Sequence, residues 1–325
     1  MDPRIAAGAL RLNERAADIA DAMVADAEAL RISVTRLEGG ARLLDCGVLA
    51  PGGLEAGRLL AEACLGGAGQ VAFTSLDFEG LWLPGVQVRT DHPALACLAA
   101  QYAGWAVKPE GYFAMGSGPL RAVARVEQEL FRRLDYAEPA TGRGVLVLET
   151  RELPGAAVAA WLAEKSGLAA ERLTLLVAPT ATTAASVQIS ARVVETALHK
   201  LLELGFDVTR VQSAFGTAPI APVARNDLRA IGRTNDCVLD GGSVHLTLAA
   251  EDAELAALAP RVPSSASRDH GTPFHELFQR YGGDFYKVDP LLFSPARVTL
   301  TNATSGRTFE AGRLEPAILK RSLLG

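Results

Sequence analysis

Leu173-Thr174-Leu175-Leu176-Val177-Ala178-Pro179-Thr180-Ala181-Thr182-Thr183-Ala184-Ala185-Ser186-Val187-Gln188-Ile189-Ser190-Ala191-Arg192-Val193-Val194-Glu195 is the stretch whose reading decides the fold. Leu173–Ala178 is a short apolar run halted by Pro179, the mark of a buried strand. Thr182 or Thr183 then offers an N-cap, and the pattern predicts one long helix to Leu204 with Gly205 just past its end. Outward from there, a strand at Val145–Glu149 and a helix from Pro154 to Ser166 precede it. Strands near Val208–Gln212, Val244–Leu248, Val298–Thr301 and Thr308–Gly312 follow.

The first part of the chain reads differently. Leu12, Ala16, Ile19, Met23 and Ala27 recur at helical spacing and predict an amphipathic helix over residues 5–30. Ile32–Leu37 and Arg42–Val48 form a hairpin across Gly39-Gly40, and Val71–Leu76 pairs with Val86–Thr90, with Gly80 and Pro84-Gly85 breaking the chain between them. A helix is predicted from Pro93 to Ala103, and Gly116-Ser117-Gly118-Pro119 leads into a second one that runs to about Leu134. Hairpins mixed with strand–helix alternation give an α+β (mixed α/β) class. Pro139, Gly142 and Gly144 make Tyr136–Gly144 the clearest linker, so the expected division is an N-terminal α+β domain at 1–140 and a C-terminal α/β domain at 145–325 carrying the long helix.

With 49% apolar and 21% charged residues, the 325-residue chain has material for a large core and needs no disulfide staples, so Cys46, Cys64, Cys97 and Cys237 are expected as buried free thiols. The net charge is −5 and the Lys and Arg residues are dispersed, which argues against a nucleic-acid partner. No apolar run approaches the ~18 residues of a membrane span. The segment Met1–Arg15 carries Asp2, Arg4, Arg11, Glu14 and Arg15, so a cytoplasmic protein is expected.

Several catalytic patterns fail on inspection. His275-Glu276-Leu277-Phe278-Gln279 has Gln where a zinc-protease motif needs its second His, and His270 and His275 are five apart around Pro273, so no metal site is expected. Gly67-Ala68-Gly69-Gln70-Val71-Ala72 matches a dinucleotide fingerprint in letters, but it opens a strand rather than a helix. Ser117 lacks glycines at both ±2 positions, so it is no nucleophile elbow.

One pattern survives. Gln188, Arg192, Glu195 and His199 are spaced by four, three and four residues, so on one helix they form a single polar stripe bordered by Val187, Val193, Val194, Ala197, Leu198, Leu201 and Leu202. A solvent-facing ridge with an ion pair of about 0.3–0.5 kcal/mol accounts for the stripe. So does a carboxylate facing a cleft, oriented by a guanidinium and able to take a proton from water. Composition does not separate the two.

At this segment the chain resembles the methenyltetrahydromethanopterin cyclohydrolases. The likeness extends through Leu43-Leu44-Asp45-Cys46-Gly47-Val48, Ala63-Cys64-Leu65-Gly66-Gly67, Thr90-Asp91-His92-Pro93-Ala94 and Tyr112-Phe113-Ala114-Met115-Gly116-Ser117-Gly118-Pro119. It continues through Asn226-Asp227-Leu228, Thr234-Asn235-Asp236, Ser267-Arg268-Asp269, Asp284-Phe285-Tyr286-Lys287-Val288-Asp289-Pro290 and Phe293-Ser294-Pro295-Ala296.

The resemblance implies two domains with a substrate cleft between them, assembly as a homotrimer, and hydrolytic opening of a cationic methenyl-pterin in one-carbon metabolism. Neither a metal nor a cofactor is implied, the pterin being substrate and carbon carrier. The family's catalytic Arg and Glu fall on Arg192 and Glu195. Backbone N–H groups at Ser117 and Gly118 would suit an anionic or carbonyl group of the substrate, although a simple helix cap explains them equally. Asp91 and His92 start a helix, Thr180 and Gln188 flank the catalytic pair near the expected pterin edge, and Arg268 and Lys287 would meet acidic groups of the tail. His199 is a candidate proton donor to N10 or an ordinary helix histidine. A non-catalytic pterin-binding protein, or another pterin-dependent one-carbon enzyme, is the alternative.

Overall fold

A computed structural model describes residues 10–140, 142–284 and 287–325, so the predicted helix onset at 5–9 and the motif residues Phe285 and Tyr286 lie outside the described residues. In chain order the strands are β1 (Ser33–Arg36), β2 (Arg42–Asp45), β3 (Gln70–Phe78), β4 (Leu81–Thr90), β5 (Trp105–Val107), β6 (Ala114–Ser117), β7 (Gly144–Glu149), β8 (Leu173–Val177), β9 (Val211–Pro219), β10 (Ser243–Leu248), β11 (Arg297–Asn302) and β12 (Thr308–Gly312). They form two six-stranded mixed sheets, so the fold is α+β.

The chain divides into two compact units that are not consecutive halves. The first holds the described residues up to Gly69 together with Leu95–Ala185, and the second holds Gln70–Ala94 and Ser186–Gly325. The division expected between 140 and 145 therefore falls inside the first unit. Pairing explains this: β7 returns beside β6 in the same sheet, so Tyr136–Gly144 connects neighbours. That segment is also anchored, because buried Glu138 accepts from both the backbone and side-chain N–H of Asn13.

In the first unit the strand order is β1-β2-β8-β7-β6-β5, with β2, β8 and β7 parallel at the centre. Val145–Leu148 and all of β8 are buried, as expected for central parallel strands covered on both faces. Leu146, Leu148 and Leu175 share a core with Val158, Ala159 and Leu162 of the helix Ala156–Ser166. Gly39 and Gly40 adopt φ of 88° and 91° in the β1–β2 turn, the left-handed backbone that the hairpin required. The four cysteines are free and buried.

The second unit orders its strands β12-β11-β10-β9-β4-β3, with only β10–β11 parallel. Burial alternates along β10 and β11, as on a sheet with one wetter face. The β3–β4 turn lies at Glu79-Gly80 alone, and Pro84-Gly85 does not break the chain but sits within β4. Proline is tolerated there because the β4–β9 ladder begins only at Gly85↔Pro219, and Pro84 adds the one group it has, its C=O, which accepts the Ile220 N–H at 2.8 Å.

Four predicted helices differ from expectation, the first being that over residues 5–30, whose described part is Leu12–Ala25 and Ala27–Leu30, parted at Asp26. Ala94–Gln101 is a π-helical stretch. The single helix predicted to follow Gly116-Ser117-Gly118-Pro119 and run to about Leu134 is instead two short helices, Leu120–Ala124 and Gln128–Arg133, parted at Arg125 with φ 50°. The long helix after β8 is also two, Thr183–Ser190 and Val193–Glu203.

Candidate active site

The break in that helix builds the site. Arg192 leaves helical geometry (φ −81°, ψ 1°) and becomes the N-cap residue of Val193–Glu203, with its C=O receiving the Thr196 N–H at 2.8 Å. No glycine or proline marks the break. Tertiary contacts hold it: the buried Ser190 hydroxyl donates to Pro219 O at the end of β9. Val193 and Val194 press on Gly216 of β9, where a Cβ would lie 2.9 Å from a methyl of each. Glu195 thereby sits in the first turn of a new helix, where the backbone dipole favours negative charge.

Arg192 Nη1 lies 3.6 Å from Glu195 Oε2, and the two side chains are only 12% and 7% exposed. A solvent-facing ridge is therefore not what the stripe forms. Gln188 is buried on the preceding helix, and His199 Nε2 lies 3.6 Å from Glu203 Oε1 one turn after Glu195. The stripe is thus split by the helix break: Arg192, Glu195 and His199 share one helix start, while Gln188 belongs to another helix.

The next residue, Lys200, went unremarked in the sequence, yet it is 1% exposed. Its ammonium donates to Leu291 O. Burial pushes it down to about 8 against the pull of Asp289, with Arg261 adding to the lowering. Asp289 in turn accepts from the Ser267 hydroxyl at 2.7 Å, and its own N–H donates to Asp269 at 2.8 Å. Burial raises the Asp289 carboxyl, but the Ser267 and Leu291 hydrogen bonds and the charges of Arg268 and Lys200 outweigh it and hold it below the usual range. Exposed Arg268 is therefore flanked by two anchored residues. Lys287 is exposed and lies 3.8 Å from Asp284.

The other expected residues are dispersed. Asp91 is exposed just after β4, and the His92 N–H donates to Thr90 Oγ1. Thr90 pairs with Ala214, two residues before Gly216. In the first unit, Thr180 is buried with its hydroxyl on Glu149. Ser117 Oγ lies 3.1 Å from Cys64 Sγ, and the Gly118 N–H donates to Ala100 O at 2.7 Å. Those groups are occupied within the unit, and the helix that follows has five residues.

Some motif residues have structural work instead. Buried Asp45 accepts the N–H groups of Gly47, Val48, Leu49 and Ala50, folding the loop after β2. Asp236 accepts from the Phe274 N–H and Ser322 hydroxyl. The only local hint of either is that Lys200 precedes Leu201-Leu202 and Asp236 precedes Cys237-Val238-Leu239.

The profile of a family described as Cyclohydrolase (MCH) matches residues 11–323. A protein of Methylobacterium organophilum named methenyltetrahydromethanopterin cyclohydrolase is 45% identical over 96% of this chain and 97% of its own length. Proteins of the same name are 46% identical in Xanthobacter autotrophicus, over 99% and 95%, and 43% identical in Methanocaldococcus jannaschii, over 97% and 98%. This chain belongs to the methenyltetrahydromethanopterin cyclohydrolase family.

Proposed function

We propose that the protein is a hydrolase that opens the cationic N5,N10-methenyl bridge of tetrahydromethanopterin with water, reversibly, giving N5-formyltetrahydromethanopterin. The carrying observation is the shielded Arg192–Glu195 pair at a helix start, in a chain with this family membership. The methenyl carbon shared by two nitrogens is already an electrophile, and the reaction changes no oxidation state. The chemistry needed is a positioned water and a base.

Glu195 takes the first proton as the water oxygen bonds to carbon, giving a neutral hydroxy adduct. The carbon–N10 bond then breaks as the second water proton leaves the hydroxyl. N10 ends with one proton and solvent with the other. Arg192 orients Glu195 and keeps its carboxylate aimed. Such a base contributes roughly 10²–10⁴-fold. The same reading takes the enzyme as a cytoplasmic homotrimer without metal or redox cofactor.

The test follows the near-ultraviolet methenyl chromophore on mixing purified protein with methenyl-tetrahydromethanopterin and, separately, the folate form. Catalytic loss of absorbance with the first supports the proposal. Persistence of the chromophore with both refutes it.

A further inference from the structure

Lys200 stands out among buried groups because burying an ammonium is costly unless something fixes it, and nothing in the proposed chemistry uses it. It lies on the helix Val193–Glu203, five residues after Glu195, at 1% exposure. Its partners are the Leu291 carbonyl and the charge of Asp289. Asp289 is the centre of a tight knot: it takes the Ser267 hydroxyl at 2.7 Å and the Leu291 N–H at 3.1 Å, and its N–H goes to Asp269 Oδ2 at 2.8 Å. Asp269 also receives the Tyr281 hydroxyl at 2.8 Å, while its own N–H donates to Ser267 Oγ at 3.2 Å. Arg268 is exposed between Ser267 and Asp269, and its charge helps hold the Asp289 carboxyl down.

We propose that Lys200 is a positioning residue that ties the Ser267–Asp269 loop to the helix bearing Glu195, and so presents the Arg268 guanidinium at a set place for an anionic group of the substrate. The inference rests on the proposed function and adds how the substrate's acidic portion is recognised. A loop backbone free to move would lose ordering entropy with each substrate bound; one whose Ser267 and Asp269 are fixed on either side of Arg268 has already lost it. Lys200 acts through Arg268 and not through the reacting atoms. Removing it therefore weakens binding that is equal in ground and transition states, which raises KM and spares kcat.

The test is Lys200→Met, an apolar replacement of similar length, alone and combined with Arg268→Ala. The expected result is a KM for the methenyl-pterin raised about tenfold by either single change, with kcat within about threefold of wild type. In the Arg268→Ala background, Lys200→Met adds less than about twofold, since the two then act on one contact. A methenyl-pterin truncated to lack its acidic groups responds to neither change.

Equal tenfold effects of Lys200→Met with and without Arg268, or an unchanged KM, overturn the inference. If Lys200→Met does not fold, Asp289→Asn loosens the same anchor and must give the same pattern. Binding of the pterin by fluorescence quenching, run in parallel, separates the two claims. Wild-type binding without turnover defeats the proposed function. Turnover with independent Lys200 and Arg268 effects defeats only this inference.

Discussion

Asp236 offers a perturbation whose size follows from its surroundings. It is 0% exposed on the helix Asp227–Leu239, accepting from the Phe274 N–H at 2.8 Å and the Ser322 hydroxyl at 2.5 Å. It thus fastens the start of the helix Phe274–Arg280 and the last turn of the helix Pro316–Leu324 to its own. Burial, then the nearby charge of Asp240, push its carboxyl up from 3.8 to about 7, against the two hydrogen bonds. Asp240 is itself raised by burial and faces His270 at 3.6 Å, and Glu276 adds to the lift on Asp236.

The folded chain therefore keeps a proton on Asp236 over a range where the unfolded chain has lost it. Stability from this group is full below about pH 4, falls as pH rises toward 7, and is flat above. The rise from 3.8 to about 7 sets an upper bound of about 4 kcal/mol on this contribution. Asp236→Asn keeps the acceptor for Phe274, can donate to Ser322, and cannot ionise. Melting by circular dichroism at pH 5 and pH 8 should show the variant's stability relative to wild type rising by several degrees between pH 5 and pH 8. Equal destabilisation of the variant at both values would refute the reasoning.

Two further outcomes follow from the same geometry. Arg192→Gln should leave melting nearly unchanged yet lower kcat roughly 10²-fold, because Glu195 loses its orienting partner 3.6 Å away; steady-state kinetics with a melting control checks it. Gly216→Val should cost about 1–3 kcal/mol in urea unfolding and depress kcat as well, since the new side chain forces Val193 and Val194 off β9 and displaces the start of the Glu195 helix.

The sequence made the hairpins and buried strands legible because their signals are local. Gly39-Gly40 marks a turn needing left-handed backbone, and Leu173–Val177 is apolar without interruption. Where tertiary forces decided, it was less legible. Pro84-Gly85 looked like a breaker because the end of β9, which excuses the proline, is more than a hundred residues away. The helix break at Ala191–Arg192 has no local cause; it depends on Ser190 reaching Pro219 and on the space left by Gly216. The linker signal at Tyr136–Gly144 is real as a loop, yet Asn13 and β6 hold it within one unit. Of the candidate site, the spacing of Arg192 and Glu195 exposed the pair but not its burial. Lys200 stayed hidden because a lone lysine on a helix is normally a surface charge.

The central claim is that Glu195 removes the proton from the attacking water, and Glu195→Gln tests it most directly. The amide preserves size and hydrogen bonding but cannot accept that proton. With melting temperature and pterin binding preserved, methenyl hydrolysis should fall roughly 10²–10⁴-fold. Turnover within a few-fold of wild type in that folded, substrate-binding variant would contradict the account.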